Sequence, residues 1–445
     1  MVTRVTGAVE YAIAPLVTRL LSLSKIGRSA RSCHTNALPM RQGLSMVAPL
    51  RDGPCSGSFR RLILMRNTLR KIVLRGPILD KWVLRRSRQI EQAYLRSLSE
   101  EHAAAPQAWP DPPLPALTRG REKLETILFI GDCMWEQDSM FPEWRKFASV
   151  QSLDLRPILQ KHPESSPAEI TARAIEEYAR APRSWEPDVI LFYARPALLS
   201  EAAFASIRRE WKCPLLGMNL DDRAQFFPCK VLASGDDDYG RWAAKFDVNL
   251  TNAYTSLDWY RRRGCVVRYF PPGFHLEEQY REPPARPDCD YPFSFLGSWK
   301  PERGVIIDEL IRRGASISLF GKGWPKSQWV EKAAPIFRRS QINLGIGFAL
   351  ASARITTTKG RDIECPGVGA CYLTTYNWEL PMLYEIGKEI LCYRDVEELV
   401  EMYGYYVKRP EECLKIAQAA HRRCVAEHTW EKRFRKLFLE LGFET

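Results

Sequence analysis

Apolar positions in the last two thirds of the chain fall into short continuous runs, separated by stretches in which apolar residues recur every three to four positions. The runs are Thr126–Gly131 (TILFIG), Ser152–Ile158, Asp188–Ala194 (DVILFYA), Pro214–Leu220 (PLLGMNL), Asp247–Asn252 (DVNLTN) and Val266–Phe270. Helical spacing fills Pro167–Arg180, Leu198–Trp211 and Ser256–Arg263 between them. After Pro271-Pro272-Gly273 and a Pro-rich stretch from Pro283 to Pro292, the alternation restarts. Its strands are Phe293–Gly297, Ala315–Phe320, Gln341–Ile346, Ala370–Thr375 and Glu389–Tyr393. Its helices are Glu302–Gly314, Ser327–Arg338, Val396–Val407, Pro410–Glu427 and Thr429–Leu441. Strands alternating with helices predict parallel sheets covered on both faces. The expected class is therefore α/β, with two Rossmann-like parallel-sheet domains and a cleft between them. In such sheets ligands sit beyond the carboxyl ends of the strands, which places Asp132, Asp221, Asp222 and Asn252 at the cleft.

The pattern also sets expected boundaries. Residues 1–57 form a basic, poorly structured segment and 58–118 an amphipathic arm with a Pro-rich linker. Residues 119–282 form the first, acceptor-side domain, 283–428 the second, donor-side domain, and 429–445 a helix crossing back. The first 57 residues are rich in Ser, Arg, Gly and Pro and almost free of acids. They read either as a targeting segment or as translated sequence ahead of a later start, since Met40, Met46 and Met65 follow. Phe59–Arg75 has the spacing of a basic amphipathic helix. It either lies on an anionic membrane surface or packs on the body with solvated arginines.

Charge sharpens this division. Residues 1–90 hold seventeen Lys/Arg against three acids, a charge of +14, whereas the whole chain carries +12. The body is thus close to neutral, which argues against a nucleic-acid partner. Twelve scattered cysteines with no CxxC pair fit a reducing, cytoplasmic setting, with the arm as a peripheral contact at the inner membrane surface. No apolar run is long enough to span a bilayer.

The densest chemistry lies in Lys359–Glu385, KGRDIECPGVGACYLTTYNWELPMLYE. Lys359 and Arg361 suit a diphosphate. Gly367 and Gly369 allow close backbone approach to an anion, and a helix start there adds its positive end. Glu364 suits a ribose diol. Together these are the needs of a nucleotide-sugar site. The plainer reading is a loop between a helix and a buried strand, with glycines as turn residues and charges in water.

The two-domain plan suggests the GT-B architecture. From residue 245 to 435 the chain also resembles the spore-maturation (CgeB-like) glycosyltransferases of the glycosyl transferases group 1 superfamily. The phrases that carry this are, in order, TNAYTSLDWYRRRG, YFPPG, FSFLGSW, LFGKGW, KGRDIECPGVGACYLT, IGKEILCY, DVEELVEMYGYYV and AEHTWEKRF. The resemblance implies transfer of a sugar from a nucleotide-sugar to an acceptor hydroxyl on a glycan, lipid or protein. It gives Glu364 the ribose, Lys359 and Arg361 the phosphates, Gly367 and Gly369 a helix start facing the diphosphate, and Gly321, Lys322 and Gly323 a turn lining the donor site. Two positions depart from the superfamily: Thr356 stands where a Glu often contacts the donor sugar, and Ile363 where an aromatic residue is usual. No Asp-x-Asp stands in a metal-binding context, so no metal or other cofactor is expected and the nucleotide-sugar is a substrate. An inverting reaction needs a general base, for which Asp132, Asp221 and Asp222 are the candidates. Alternatives are a sugar-nucleotide epimerase or hydrolase of the same fold, or a non-catalytic relative binding membrane or nucleic acid.

Overall fold

The computed structural model describes residues 113–445 except 119, 121, 132–135, 228–237, 286–288, 326, 328–329 and 350–351. Residues 1–112 and Asp132, for which the sequence sets expectations, lie outside the described residues.

The first sheet is built from β1 (Thr126–Gly131), β2 (Ser149–Asp154), β3 (Val189–Tyr193), β4 (Leu215–Asn219), β5 (Val248–Thr251) and β6 (Val267–Tyr269). Their order is β2-β1-β3-β4-β5-β6, and every pairing is parallel. Helices α1 (Glu136–Trp144), α2 (Leu155–Lys161), α3 (Pro167–Arg180), α4 (Glu201–Glu210), α5 (Asp222–Gln225) and α6 (Leu257–Arg262) connect the strands. β1 is buried along its whole length, which is why its sequence is a continuous apolar run and not an alternating one. The helices begin where the sequence supplies a cap: Ser200 accepts a hydrogen bond from the Ala203 amide, and Asp154 from that of Arg156. The Asp154 cap corrects one expectation. The strand expected over Ser152–Ile158 ends at Asp154, because the cap starts α2 at the next residue.

The second sheet comprises β7 (Tyr291–Leu296), β8 (Ser318–Phe320), β9 (Ser340–Leu344), β12 (Tyr372–Thr375) and β13 (Leu391–Tyr393), in the parallel order β13-β12-β9-β7-β8. Between β9 and β12 lie the antiparallel pair β10 (Phe348–Ala349) and β11 (Ser352–Thr356), which periodicity does not reveal. The helices are α7 (Pro301–Arg312), α8 (Ala334–Arg338), α9 (Arg361–Gly367), α10 (Leu380–Leu383), α11 (Val396–Tyr406), α12 (Pro410–Glu427) and α13 (Trp430–Glu440). Where helix was expected over Ser327–Arg338, the described residues form it only from Ala334, with Pro335 in its first turn.

The chain crosses between the two sheets twice. Phe274 donates its amide to the His428 carbonyl at 3.2 Å and receives the Trp430 amide on its own carbonyl at 3.1 Å. The approach is close enough that a Cβ on Gly273 would stand 2.8 Å from Trp430 atoms. α13 then lies on the first sheet. Trp430, Phe434, Leu437 and Phe438 join Ile127, Phe129, Met140 and Trp144 in one apolar cluster.

Candidate active site

A cavity of about 450 Å³ opens between the carboxyl ends of the two sheets. The first sheet contributes Tyr193 at the end of β3, Asp221 and Gln225 after β4, and Asn252 after β5. The second contributes Lys300 and Arg303 after β7, then Lys359, Arg361 and Glu364 around the start of α9.

Four cations therefore meet at one wall. Arg303 is buried and donates to the Ser298 carbonyl at 2.8 Å, and Arg361 donates to that of Leu296 at 3.1 Å. Both guanidinium groups sit by the Phe295 ring, 5.7 and 5.6 Å from its centroid. Burial and then the nearby Arg361 push the Arg303 pKa down to about 10. Burial and then Arg303 also lower that of Lys300. Lys300 keeps an exposed surface at the cavity, where the neighbouring Arg303 crowds it with like charge. Cations held this way are poised for an anion. The only cross-cleft acid bonded to them is Asp221, 3.7 Å from the Lys359 ammonium among the described residues.

The turn that carries Lys359 is held by Asp362, which is buried. One carboxylate oxygen accepts the Lys359 amide at 2.7 Å and the other the Thr374 hydroxyl at 3.2 Å. Burial raises the pKa of Asp362, and these hydrogen bonds oppose it. Glu364, one turn along α9, lines the cavity half-buried. Burial raises its pKa, Arg361 opposes and Asp362 adds to the rise.

Three expectations change. α9 begins at Arg361 and ends at Gly367, so Gly367 and Gly369 stand at its far end and open no helix towards the cleft. Gly367 packs its Cα against the Phe274 ring, and Gly369 turns the chain into β12 with φ +77°. Asp222 is fully buried behind the cleft, where it accepts the Tyr260 hydroxyl at 2.9 Å. Burial pushes its pKa to about 7, yet it does not line the cavity. Gly321, Lys322 and Gly323 do not line it either. They lie against Gly297–Trp299, the segment leading to Lys300, with the Trp299 amide donating to the Lys322 carbonyl at 2.7 Å. Sequence reasoning missed Lys300 and Arg303. The signal was present as KPER directly after the FSFLGSW strand, at a strand's carboxyl end.

Residues 303–438 match the family model described as glycosyl transferase-like. That stretch carries a glycosyl transferase-like domain, and the chain has the GT-B fold. The crystal structure of Anabaena Alr3699/HepE in complex with UDP and glucose superposes on this chain with a TM-score of 0.51 at 13% identity, over 72% of this chain and 99% of that one. The same Anabaena protein in complex with UDP-glucose gives 0.51 at 13%, over 71% and 98%. Sucrose-phosphate synthase (tll1590) from Thermosynechococcus elongatus gives 0.50 at 12%, over 71% and 99%. At these identities the likeness is one of fold. None of the curated proteins matches the chain.

Proposed function

We propose that the cleft binds a nucleotide-sugar with its diphosphate against Lys300, Arg303, Lys359 and Arg361 and its ribose against Glu364. The sugar then passes to an acceptor hydroxyl that enters along the first domain. The observation that carries this is the four-cation wall beside Glu364 between two parallel sheets. Breaking the sugar–phosphate bond adds charge to the departing diphosphate. Fixed cations stabilise that charge without reorganising, which is commonly the largest catalytic contribution. The cations do here what a metal does in other transferases, so the reading is a metal-independent one. Asp221 is the candidate base, exposed at the cleft where Asp222 is enclosed. The ordered phrases between residues 245 and 435 support placing the chain with the CgeB-like group. The acceptor class is a hydroxyl of a glycan, lipid or protein.

UDP is the first probe, because the superposed Anabaena protein is described in complex with it. Calorimetry on the full chain should show UDP binding, and Glu364→Ala should weaken it by about 1–3 kcal/mol through loss of charge-assisted hydrogen bonds. Failure of UDP, GDP, dTDP and CMP alike to bind would overturn the reading.

A further inference from the structure

The turn after β4 holds two side-chain amides in series. Asn219, the last residue of β4, is buried, and its Oδ1 accepts the Asp221 backbone amide at 2.9 Å. A backbone N–H can only donate, so this end of Asn219 is the oxygen and the other is the NH2 group. That NH2 group donates to Oε1 of Gln225 at 3.2 Å. Gln225 is oriented in its turn. Its oxygen faces the buried Asn219, and Nε2 lies on the other branch of the amide.

Gln225 closes α5 and lines the cleft, half-buried. None of the described residues accepts a hydrogen bond from its Nε2. Nor is this nitrogen among the enclosed, unpartnered polar atoms of the described residues, so it keeps accessible surface. The cavity that the residue borders is the cleft. Asp221 stands one helical turn earlier, and its carbonyl accepts the Gln225 backbone amide at 3.1 Å. Residues four apart on a helical turn lie side by side. The first-domain wall thus offers a carboxylate and, beside it, an amide donor that no described group uses. The diphosphate has the four cations of the opposite wall, which leaves this donor for the other substrate.

We propose that Gln225 is a specificity-determining residue for the acceptor, and that the acceptor is a saccharide. Its Nε2 donates to an oxygen next to the hydroxyl that gives its proton to Asp221. The inference rests on the reading of the cleft as a nucleotide-sugar site with Asp221 as base, and it narrows the acceptor class of that reading. The reacting oxygen needs its lone pair for attack while its proton goes to the base. A donor beside the base therefore serves a second oxygen close by. Vicinal hydroxyls and the ring oxygen of a saccharide supply one. A long-chain alcohol has none, and a serine side chain carries only the reacting one. A site built to hydrogen-bond such an oxygen discriminates against ligands that lack it, because its own polar group is then left unpaired.

The experiment uses the full-length chain saturated with UDP, or with whichever of GDP, dTDP and CMP binds if UDP does not. Saturation-transfer NMR titrates the methyl glycosides of glucose, galactose, mannose and N-acetylglucosamine, with N-acetylserine amide and 1-octanol as the competing classes. The variants are Gln225→Glu and Gln225→Met, with circular dichroism to check their folding. Glutamate keeps the shape and an oxygen for Asn219 but removes the donor, whereas methionine removes both. At least one glycoside should bind the wild type, and its Kd should rise about tenfold in both variants, the loss of one hydrogen bond. In calorimetry Gln225→Met should bind the nucleotide within about twofold of wild type. Wild-type glycoside binding in Gln225→Glu would overturn the proposal, since Gln225 would then serve only to hold Asn219. So would binding of the serine derivative or octanol without any glycoside, and so would silence of every probe with the nucleotide bound. A wild-type chain that binds none of the four nucleotides would instead overturn the reading of the site, and this inference with it.

Discussion

At the scale of single residues, the cations of the cleft and the acids beside it obey different physics. Arg303 is buried among like charges; burial does most to lower its pKa, and repulsion from Arg361 adds to the drop. An incoming diphosphate relieves that repulsion, so Arg303→Ala should cost about tenfold or more in UDP affinity, in the range of a charge-assisted hydrogen bond. It should leave the unliganded chain no less stable. Calorimetry and urea unfolding test the two halves of that statement. Asp222 is the opposite case, an acid raised from its usual value of 3.8 to about 7 by burial. Below pH 3.8 it is protonated in both folded and unfolded chains and changes nothing. Between pH 3.8 and 7 the unfolded chain releases the proton while the folded one holds it, so stability falls as pH rises. Above 7 the full penalty remains, at most about 4 kcal/mol for a shift of this size. Asp222→Asn should remove this slope. The difference between variant and wild-type urea midpoints should grow from pH 4 to pH 7, and a constant difference would show that Asp222 does not titrate in that window.

At the scale of elements, α13 is the one whose role depends on its partner. Its apolar residues recur at helical spacing, and the face they form is buried on the first sheet. Phe434 is fully buried, with its ring 4.7 Å from that of Trp144 and 4.8 Å from that of Phe270. Phe434→Ala should cost about 3–5 kcal/mol in urea unfolding, the usual range for a buried aromatic truncated to alanine. Leu439, 59% exposed on the same helix, should change stability by less than about 0.5 kcal/mol when replaced by alanine. Equal losses at the two positions would refute the packing described. Removal of the chain from Thr429 onward strips one wall from the first domain's core. It is expected to unfold that domain, not merely to uncouple the two.

At the scale of the whole molecule, the cleft is spanned by charge as well as by backbone. Arg223, at the start of α5, lies 3.6 Å from Glu379 just ahead of α10, and both are buried. Burial raises the pKa of Glu379, and Arg223 opposes this. Nearer the crossing, Glu143 on α1 contacts His275 at 2.6 Å, and Lys146 bridges Glu143 and Glu431. Burial works against the Glu143 carboxylate, but His275 and Lys146 outweigh it and hold its pKa below the usual range. Removing one member of a buried pair strands the other. Arg223→Met and Glu379→Leu should each cost about 3 kcal/mol or more, and the double variant less than their sum. A double-mutant cycle in urea measures this, and strict additivity would mean that the pair does not couple the domains.

The sequence by itself determined the parallel sheets, because strands buried on both faces must be written as continuous apolar runs such as TILFIG and DVILFYA. It also brought Lys359, Arg361 and Glu364 together, since they lie within six consecutive residues. Both kinds of information are local. It misread the glycines after Glu364, because glycine serves equally at a helix's anion-binding start and at its left-handed end. Only the hydrogen bonds of α9 decide which of these it is. It also treated Asp221 and Asp222 alike. Adjacent residues point in different directions, so one faces the cleft and the other the Tyr260 hydroxyl. Lys300 and Arg303 reach the cationic wall of the cleft from some sixty residues upstream. Asn252 meets Thr358 across 106 positions of sequence. Such pairings are set by how two finished sheets face each other, a relation that no local pattern of residue types encodes.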